Sequence, residues 1–175
     1  MKLTWFGGST IRIHIGGAIL VLDPEGAPAG IDRTELVSGA DRVIGGFGVG
    51  LPEADPASWK PRRAQRLIDA EGASSAVVAW SVGPGAVLVE AEGEAPLLLL
   101  AGEVPGLGRW AESAVICLFG EGLAALGQAV LAERAPRLLA LAASEVAVDA
   151  AVPALRERLD GTGLVALEPG LAVEV

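Results

Sequence analysis

The chain has 175 residues, of which 51% are hydrophobic, and this combination predicts one domain with a sizeable packed core and excludes general disorder. Its 22 acidic residues outnumber its 13 Lys and Arg residues, and the net charge of -9 excludes nucleic acid and anionic membrane surfaces as partners. With one Cys and one His, the chain excludes an intramolecular disulfide, and a metal site would need mostly carboxylate ligands.

The placement of polar residues predicts a cytoplasmic protein. No apolar stretch approaches the ~20 residues that a membrane-spanning helix needs. Arg12, His14 and Asp23 come too early for a signal peptide. Cys117 lies in the apolar run 114–119, which predicts a buried and unreactive thiol.

The first part of the chain has the pattern of an antiparallel meander. Strands are predicted over residues 2–6, 10–15 and 18–22. In the second of these, isoleucines alternate with Arg12 and His14, as in a half-buried strand. Gly16-Gly17 is typical of a two-residue hairpin turn. The third strand is wholly apolar and ends at Asp23-Pro24.

The remaining elements predict two packed sheets with helices outside, in a single domain over residues 1–175. Strands are predicted over residues 42–44, 75–81, 86–90, 96–101, 114–119, 137–142, 164–167 and 172–175. One helical turn is predicted at 32–36, and helices over 62–70, 123–133 and 148–159. Gly72 is a stop signal for the helix at 62–70. The last helix is predicted despite Pro153, which we expect in its first turn.

Residues 41–55, DRVIGGFGVGLPEAD, form the most informative stretch of the chain. A short apolar strand runs into a loop with Gly at 45, 46, 48 and 50, so the backbone there can adopt tight turns or approach another group closely. The glycines do not follow the Gly-x-Gly-x-x-Gly nucleotide fingerprint, and no helix is predicted directly after them. A phosphate-binding loop is therefore not indicated.

The first 24 residues, MKLTWFGGSTIRIHIGGAILVLDP, resemble the start of the metallo-β-lactamase superfamily. The resemblance is to the branch of small metal-dependent hydrolases that includes ascorbate-phosphate lactonase-like proteins. Those proteins share the order of a strand, Trp-(Leu/Phe)-Gly-His-(Ser/Ala), an alternating strand, Gly-Gly, an apolar strand and Asp-Pro. In this sequence Gly8 stands in place of the family's His. The resemblance implies an α+β fold, the four-layer αββα sandwich, in a shortened form.

The resemblance also identifies where the metal ligands of such hydrolases would be. The family carries Thr-His-x-His-x-Asp-His after its next strand, and residues 46–52 align with this motif without gaps. The four ligand positions are then occupied by Phe47, Val49, Leu51 and Pro52. In relatives the metals polarise the scissile group and deprotonate a bridging water, which these side chains cannot support. An apolar loop here avoids unsatisfied buried polar groups in a protein without metal.

Two later motifs of the family are altered as well. Leu100 to Val104 lies where relatives have Gly-Asp-Thr, with Glu103 at the bridging Asp, and Arg137 to Ser144 lacks the late His. The closing Leu-Glu-Pro-Gly-Leu resembles the family's ending. The resemblance thus implies a metallo-β-lactamase-like protein that has lost its metal site, and no cofactor is expected.

Three carboxylates are candidates for remaining chemistry, each with a structural alternative. Glu103 stands at a metal-ligand position but is also an ordinary loop residue. Asp23 matches a strand-end Asp of the family, although an Asp before Pro is also a common turn residue. Asp55 and Glu53 fit a solvated loop. Ser9 has only His14 available as a base, so a Ser-His triad is not predicted.

The sequence favours a protein without catalytic activity, a pseudoenzyme that binds a small molecule or another protein. One alternative is a hydrolase that uses carboxylates or a hard cation on a small ester, lactone or phosphate. Another is a regulatory subunit beside a catalytic partner. The high apolar fraction also leads us to expect a homodimer. The ligand and the partner are not identified by the sequence.

Overall fold

The computed structural model describes residues 1–62 and 77–175. Within these ranges the chain folds into a mixed α/β arrangement with two β-sheets, of five and six strands. The two sheets face each other across a shared hydrophobic core, and helices cover their outer faces. The predicted pair of packed sheets with helices outside is therefore confirmed at this level. The four-layer metallo-β-lactamase type and the single-domain boundary stay predictions.

The first sheet is built mainly from the N-terminal meander. Its strand order is β11-β1-β2-β3-β4. The strands are β1 (Lys2–Gly7), β2 (Thr10–Ile15), β3 (Ala18–Leu22), β4 (Arg42–Ile44) and β11 (Ala172–Glu174). β1, β2 and β3 pair antiparallel, β4 lies parallel to β3, and β11 lies antiparallel to β1. Gly16 and Gly17 both have positive φ, as the predicted hairpin turn requires.

The second sheet combines an antiparallel and a parallel half. Its strand order is β10-β9-β8-β7-β6-β5. The strands are β5 (Val78–Gly83), β6 (Ala86–Glu90), β7 (Leu97–Leu100), β8 (Val115–Phe119), β9 (Leu138–Ala142) and β10 (Gly163–Ala166). β5, β6 and β7 pair antiparallel, whereas β7 to β10 all run parallel. The carboxyl ends of β7, β8 and β9 consequently meet at one edge of the molecule.

The alternation of apolar side chains decides which face each strand buries. In β2, Ile11, Ile13 and Ile15 point into the core between the sheets, where they meet residues such as Val89 and Leu99. β6, β7 and β8 are buried on both faces, which explains their unbroken apolar sequences. Their outer-face residues share a cluster with the helices and with Leu107, Trp110 and Ala111.

Two helices cover the outer face of the second sheet. α2 (Leu123–Glu133) connects β8 to β9, and α3 (Glu145–Arg156) connects β9 to β10. Successive parallel strands advance in one direction across the sheet, so crossovers of one hand put both helices on the same face. There they pack against each other and against the sheet.

The outer face of the first sheet has a smaller cover. It consists of a 3₁₀ helix, Pro24–Gly26, and the short helix α1 (Arg33–Val37). Leu36 of α1 packs on Val21 of β3. The Arg12 guanidinium, on the outer face of β2, donates hydrogen bonds to the carbonyls of Leu36 and Ser38 at 2.7 and 2.9 Å. Arg12 thereby ties the end of α1 to the sheet, since the last carbonyls of a helix lack partners within it.

The prediction for the last helix was wrong at both ends. The helix begins at Glu145 and ends at Arg156, so Pro153 lies in its interior and not in its first turn. The Ser144 side chain accepts a hydrogen bond from the Ala147 N–H at 3.3 Å and caps the helix three residues earlier than predicted. A good N-cap thus sets the start.

The other predicted strands agree with the structure within one or two residues in the described ranges. The helix predicted at 62–70, its stop at Gly72 and the first part of the strand predicted at 75–81 lie outside the described residues. Across the described ranges, every helix falls short of the length and apolar character needed to cross a bilayer.

Candidate functional site

The main cleft of the described residues lies where the carboxyl ends of the parallel strands meet the β1–β2 turn. It has an inner and an outer cavity, of about 390 and about 700 Å³, which share lining residues Ala101, Phe119, Gly120 and Glu121. Ligands of open α/β sheets bind outside the carboxyl ends of the strands. Both cavities also fall within the size range of small-molecule sites.

The inner cavity is lined mainly by small and apolar groups. Its lining residues are Trp5, Gly7, Gly8, Ser9, Ala101, Phe119, Gly120, Glu121, Ala142, Ala143 and Ser144. The Trp5 and Phe119 side chains are almost fully buried beneath it. The Trp5 indole Nε1 donates a hydrogen bond to the Gly8 carbonyl at 3.0 Å, which fixes the β1–β2 turn at the rim.

The position of the family's His is shaped for glycine. Gly8 has φ +55, in the left-handed region. A Cβ added there would lie 2.8 Å from the Gly26 carbonyl oxygen, closer than real Cβ atoms come. A side chain at position 8 therefore meets both backbone strain and a backbone contact. Gly26 is itself held nearby by its N–H, which donates to the Asp23 carbonyl at 3.0 Å.

The four residues aligned with the metal ligands do not all pack into the interior of the protein. Phe47 is half-buried, packs against the inter-sheet core and meets the Phe119 ring edge to face, with centroids 5.5 Å apart. Leu51 also packs against this core. Val49, in contrast, is 67% exposed, and Pro52 is exposed. Positive φ at Gly46, Gly48 and Gly50 turns the loop so that two side chains face inward and two outward.

A third cavity, separate from the cleft, adjoins this glycine loop. It has a volume of about 570 Å³ and is lined by Phe47, Gly48, Val49, Glu53, Ala54 and residues 81–84. The loop is fixed on this side because the Ser81 N–H donates to the Pro52 carbonyl at 2.9 Å and the Ala54 N–H donates to the Ser81 carbonyl at 3.0 Å. The segment after the glycine loop thus covers part of the β5 edge.

Asp23 and Ser9 form a hydrogen-bonded pair beside the inner cavity. The Ser9 hydroxyl donates to Asp23 Oδ2, and Ser9 itself lines the cavity. Asp23 has φ 49, an unusual value for a residue other than Gly, and directly precedes the short 3₁₀ helix without a side-chain capping bond. The Thr10 hydroxyl donates to the Asp23 carbonyl at 2.6 Å and the Asp23 N–H donates to the Ile44 carbonyl at 2.7 Å, so the backbone of this residue is held on both sides.

Glu121 and Ser144 form a corresponding pair on the second sheet. Glu121 follows β8 and Ser144 follows β9, and both line the inner cavity. The Ser144 hydroxyl donates to Glu121 Oε2 at 2.7 Å while its oxygen caps α3. The Ser144 N–H donates to Glu121 Oε1 at 3.5 Å. Glu121 and Ser144 are both exposed, and these bonds orient the Glu121 carboxylate at the point where the two cavities join.

The other two candidate carboxylates, Glu103 and Asp55, lie apart from each other. Glu103 is exposed and lines the outer cavity just after β7. Asp55 lines neither cavity of the cleft. It is exposed in a loop, where its carboxylate accepts hydrogen bonds from the Ala57 N–H and the Ser58 hydroxyl. These bonds, the Ser58 hydroxyl first, lower the pKa of Asp55. Such contacts are typical of a residue that stabilises its own turn.

His14 and Cys117 lie away from the cleft. His14 is half-buried on the outer face of β2, opposite Lys2 of β1, and lines a cavity of about 470 Å³ with Glu94 and Glu174. Partial burial and the charges of Lys2 and Arg12 lower its pKa. Cys117 lies in the core between the sheets, and burial raises the pKa of its thiol.

The described residues do not provide the ligands of a metal centre of the metallo-β-lactamase type. Glu103 is the single oxygen-donor side chain among the aligned ligand positions, and Gly8, Phe47, Val49, Leu51 and Pro52 offer none. Over residues 1–62 and 77–175, no three His, Cys, Asp or Glu side chains lie close enough together to hold a metal ion. The cleft has mainly apolar walls, and carboxylates lie at its rim.

Glu121 and Ser144 are the residues of the cleft that sequence reasoning missed. A signal was present, because each directly follows a predicted buried strand, in Phe119-Gly-Glu and Ala143-Ser. The carboxyl ends of parallel strands meet at one edge, so the residues just after β8 and β9 were candidates for a shared site.

Comparisons with known proteins give one similar fold to report. No family model matches the sequence, and no curated protein matches it. Among solved structures, the fold is similar to that of Igni18, described as a novel metallo hydrolase from the hyperthermophilic archaeon Ignicoccus hospitalis KIN4/I. The TM-score is 0.46 and the sequence identity 14%, over 99% of this chain and 98% of that chain.

Proposed function

We propose that this protein is a metal-independent binding protein with a metallo-β-lactamase-like αββα fold, which holds a small ligand in the cleft at the strand ends. The observation that carries the proposal is that the positions aligned with the family's metal ligands, apart from Glu103, do not hold metal-binding side chains. Gly8 leaves no room for a side chain, and Phe47 contributes its ring to the hydrophobic core. In a metal-dependent relative these positions supply metal-binding side chains.

The packing of Phe47 supports the proposal that the glycine loop is adapted to the absence of a metal ion. An edge-to-face ring pair of this geometry contributes about 0.5–1.5 kcal/mol beyond the burial of its apolar area. Leu51 adds further contact with the same core. A His or Asp in either inward position would place a polar group against apolar neighbours without a partner. The apolar side chains are thus stabilising where metal ligands would be costly.

The cleft itself supports binding. Its walls are mainly apolar and its polar groups are few and fixed, which is the usual make-up of a small-molecule site. The hydroxyls of Ser9 and Ser144 both donate to carboxylates, so the polar groups of the inner cavity are already oriented. Preformed sites of this kind bind with little reorganisation.

Elemental mass spectrometry after expression with excess zinc and manganese, followed by dialysis, tests the metal-independent part. We expect less than ~0.1 equivalent of any transition metal, against full occupancy in proteins with a structural or catalytic zinc site. One or more tightly held equivalents would refute it. The same preparation should fail to hydrolyse a panel of aryl esters, lactones and phosphate monoesters.

The contact between Ser9 and Asp23 favours a second candidate, a hydrolase that works without metal. In such an enzyme the Asp23 carboxylate would accept the Ser9 proton while the Ser9 oxygen attacks an ester carbonyl in the inner cavity. The C–O bond of the ester would then break, the alcohol would leave with the proton from Asp23, and water would hydrolyse the acyl-serine to release the acid. Hydrolysis by the native protein that persists with a chelator, and is lost in both Ser9→Ala and Asp23→Asn, would support this candidate. Asp55→Asn serves as the control, because Asp55 lies outside the cleft.

Assembly and location are proposed on the sequence alone. A homodimer in the cytoplasm is the form we expect, and a role as a regulatory subunit of a catalytic partner is the further alternative. Light scattering of the purified protein gives the oligomeric state, and co-purification from the native cell would reveal a stable catalytic partner.

A further inference from the structure

We propose that the outer edge of β10 is a dimer interface, where β10 pairs antiparallel with β10 of a second copy of this chain and the two copies of α3 pack side by side. This is the interface of the homodimer expected under the proposed function, on which the inference rests, and it is independent of whether the cleft binds a ligand. Three features of the described residues support it: the outward backbone groups of β10, an apolar flank of α3 and the charges along that flank.

The outer edge of β10 offers unpaired backbone groups. Within the described ranges, the strand pairs with β9 on one side and has no partner strand on the other. The N–H groups of Gly163 and Leu167 donate to carbonyls on the β9 side at 2.9 and 2.8 Å. Since alternate residues bond the neighbouring strand, Leu164 and Ala166 direct their N–H and C=O groups outward. The strand contains no charged residue and no Pro, which are common means of blocking an edge.

The chain itself covers the opposite edge of the same sheet. The Ser81 N–H of β5 donates to the Pro52 carbonyl at 2.9 Å, and the Ala54 N–H donates to the Ser81 carbonyl at 3.0 Å. The segment after the glycine loop therefore protects β5 from pairing with another chain. Among the described residues β10 has no such cover, so its edge is the one at which this sheet can be extended.

A second copy of β10 satisfies the outward groups symmetrically. In an antiparallel pairing centred on Val165, Leu164 of each protomer lies opposite Ala166 of the other. Two residues opposite each other in this way exchange both backbone hydrogen bonds, so every outward N–H and C=O group of Leu164 and Ala166 is paired. The two Val165 side chains become neighbours on the inner face, where each already packs against the core between the sheets. The same patch thus serves both protomers, as a two-fold interface requires.

α3 adds an apolar flank on the same side. It connects β9 to β10 and so lies over these strands, with α2 beside it, where the Gln128 side chain donates to the Ala154 carbonyl at 3.4 Å. Val152 lies nearly opposite Ala154 around the helix, and Val148 is one turn before Val152. Both valines are half-buried against the outer-face cluster, on the side away from α2. In the extended sheet the two copies of α3 would lie about two strand spacings apart, ~10 Å, a distance at which helices pack.

The charges on this flank suit an antiparallel copy of the same helix. Glu145 and Asp149 lie in the first half of α3 and Arg156 lies in its last turn, and all three are exposed. With Val152 they follow a spacing of four, three and four residues, which places them along one side of the helix. Pairing of the two β10 strands makes the two helices antiparallel, so the acidic end of each flank faces the basic end of the other. This complementarity favours a second copy of the chain as the partner.

Sedimentation velocity of the full chain at about 100 µM, which detects a dimer of micromolar or tighter affinity, tests the proposal. We expect the native protein to sediment as a dimer. Ala166→Pro removes an outward N–H that β9 does not use, which an edge strand tolerates. It should weaken dimerisation at least about tenfold, because a hydrogen bond is lost on each side of the two-fold axis. Ala172→Pro is the matched control on the edge strand β11, where the N–H at 172 is likewise not used by β1, and should leave the dimer intact.

Charge reversal tests the contact between the two copies of α3. Asp149→Arg and Arg156→Asp each bring like charges together across the two-fold axis and should weaken dimerisation about tenfold. The double variant restores opposite charges and should recover the native affinity within about threefold. Hydrogen exchange of the native protein gives a readout without a variant, because the Leu164 and Ala166 amides should be protected in the dimer and lose protection on dilution.

The possible outcomes separate the interface from the rest of the proposed function. A native protein that is a monomer at about 100 µM overturns both this interface and the expected homodimer, and leaves the metal-independent binding role standing. A dimer that withstands Ala166→Pro, that is lost equally in Ala172→Pro, or that the double reversal does not restore overturns the β10 interface alone. If Ala166→Pro does not fold, the charge reversals and the exchange of the native amides decide. Bound metal or hydrolytic turnover would refute the proposed function and leave the interface standing.

Discussion

Replacing Gly8 with Ala should destabilise the protein more than replacing any open turn glycine. Gly8 has φ +55, and a non-glycine residue in the left-handed region costs about 1–2 kcal/mol. The added Cβ would also lie 2.8 Å from the Gly26 carbonyl oxygen, which is backbone and cannot rotate away. Relieving this overlap costs a further ~1–3 kcal/mol. The sum predicts a loss of about 2–5 kcal/mol in the free energy of unfolding.

Gly17 supplies the matched control. It has φ +82 in the β2–β3 turn, and a Cβ there would meet nothing within 4 Å. Gly17→Ala should therefore show the backbone cost alone, about 1–2 kcal/mol. Urea unfolding followed by circular dichroism gives both values, provided the denaturant slope m is unchanged. If Gly8→Ala costs no more than Gly17→Ala, the contact with Gly26 is not as close as described, and the claim that position 8 excludes a His fails.

Three further predictions concern the loop, the core and the first sheet. Phe47→Ala should cost about 2 kcal/mol in unfolding free energy, since a half-buried ring and its contact with Phe119 are lost. Val49→Ala should stay within about 0.5 kcal/mol because Val49 is exposed, and equal effects in the same urea assay would contradict the inward position of Phe47. The Cys117 thiol should not react with a water-soluble disulfide reagent at pH 8 until urea unfolds the protein, because burial raises the pKa of the thiol. Fast labelling of the folded protein would show that the thiol is accessible. The folded-state pKa of His14, followed by its ring protons in NMR, should lie below 6.5 and should rise in Lys2→Ala. Below pH 6.5 the unfolded chain then binds the proton more readily than the folded chain, so the contribution of His14 to stability is present above that pH and is lost as the pH falls. A folded-state pKa above 6.5 would reverse the sign of this pH dependence.

Local sequence patterns were sufficient for most of the secondary structure. The alternation in residues 10–15 and the Gly16-Gly17 pair fixed β2, its turn and its register, because a strand with one buried face tolerates no slip by one residue. Unbroken apolar runs identified β6 and β8 because both of their faces are covered. The start of α3 was missed because Pro153 was given more weight than the cap at Ser144.

The cleft could not be predicted to the same extent, because it depends on contacts between residues distant in sequence. Asp23 and Glu103 were predicted as candidates. Asp23 lies beside the inner cavity and Glu103 lines the outer one because of how the sheets pack, which no local sequence pattern encodes. Glu121 and Ser144 lie 23 positions apart in the sequence and meet only because β8 and β9 are parallel neighbours. The glycine loop was located correctly, yet the inward turn of Phe47 and the outward turn of Val49 depend on positive φ values that glycine permits without requiring.

The strand order of the first sheet affects how the chain folds during synthesis. β1, β2 and β3 leave the ribosome before the second sheet does, yet the apolar face of Ile11, Ile13 and Ile15 is covered by strands of that sheet. β1 gains its outer partner only with β11 at residues 172–174. At roughly 5–20 residues per second, the wait for β11 is on the order of ten seconds. During that time a sheet with a bare apolar face and an unpaired edge is available to other chains. Nascent copies of this protein should therefore depend on holding chaperones more than the mature fold suggests.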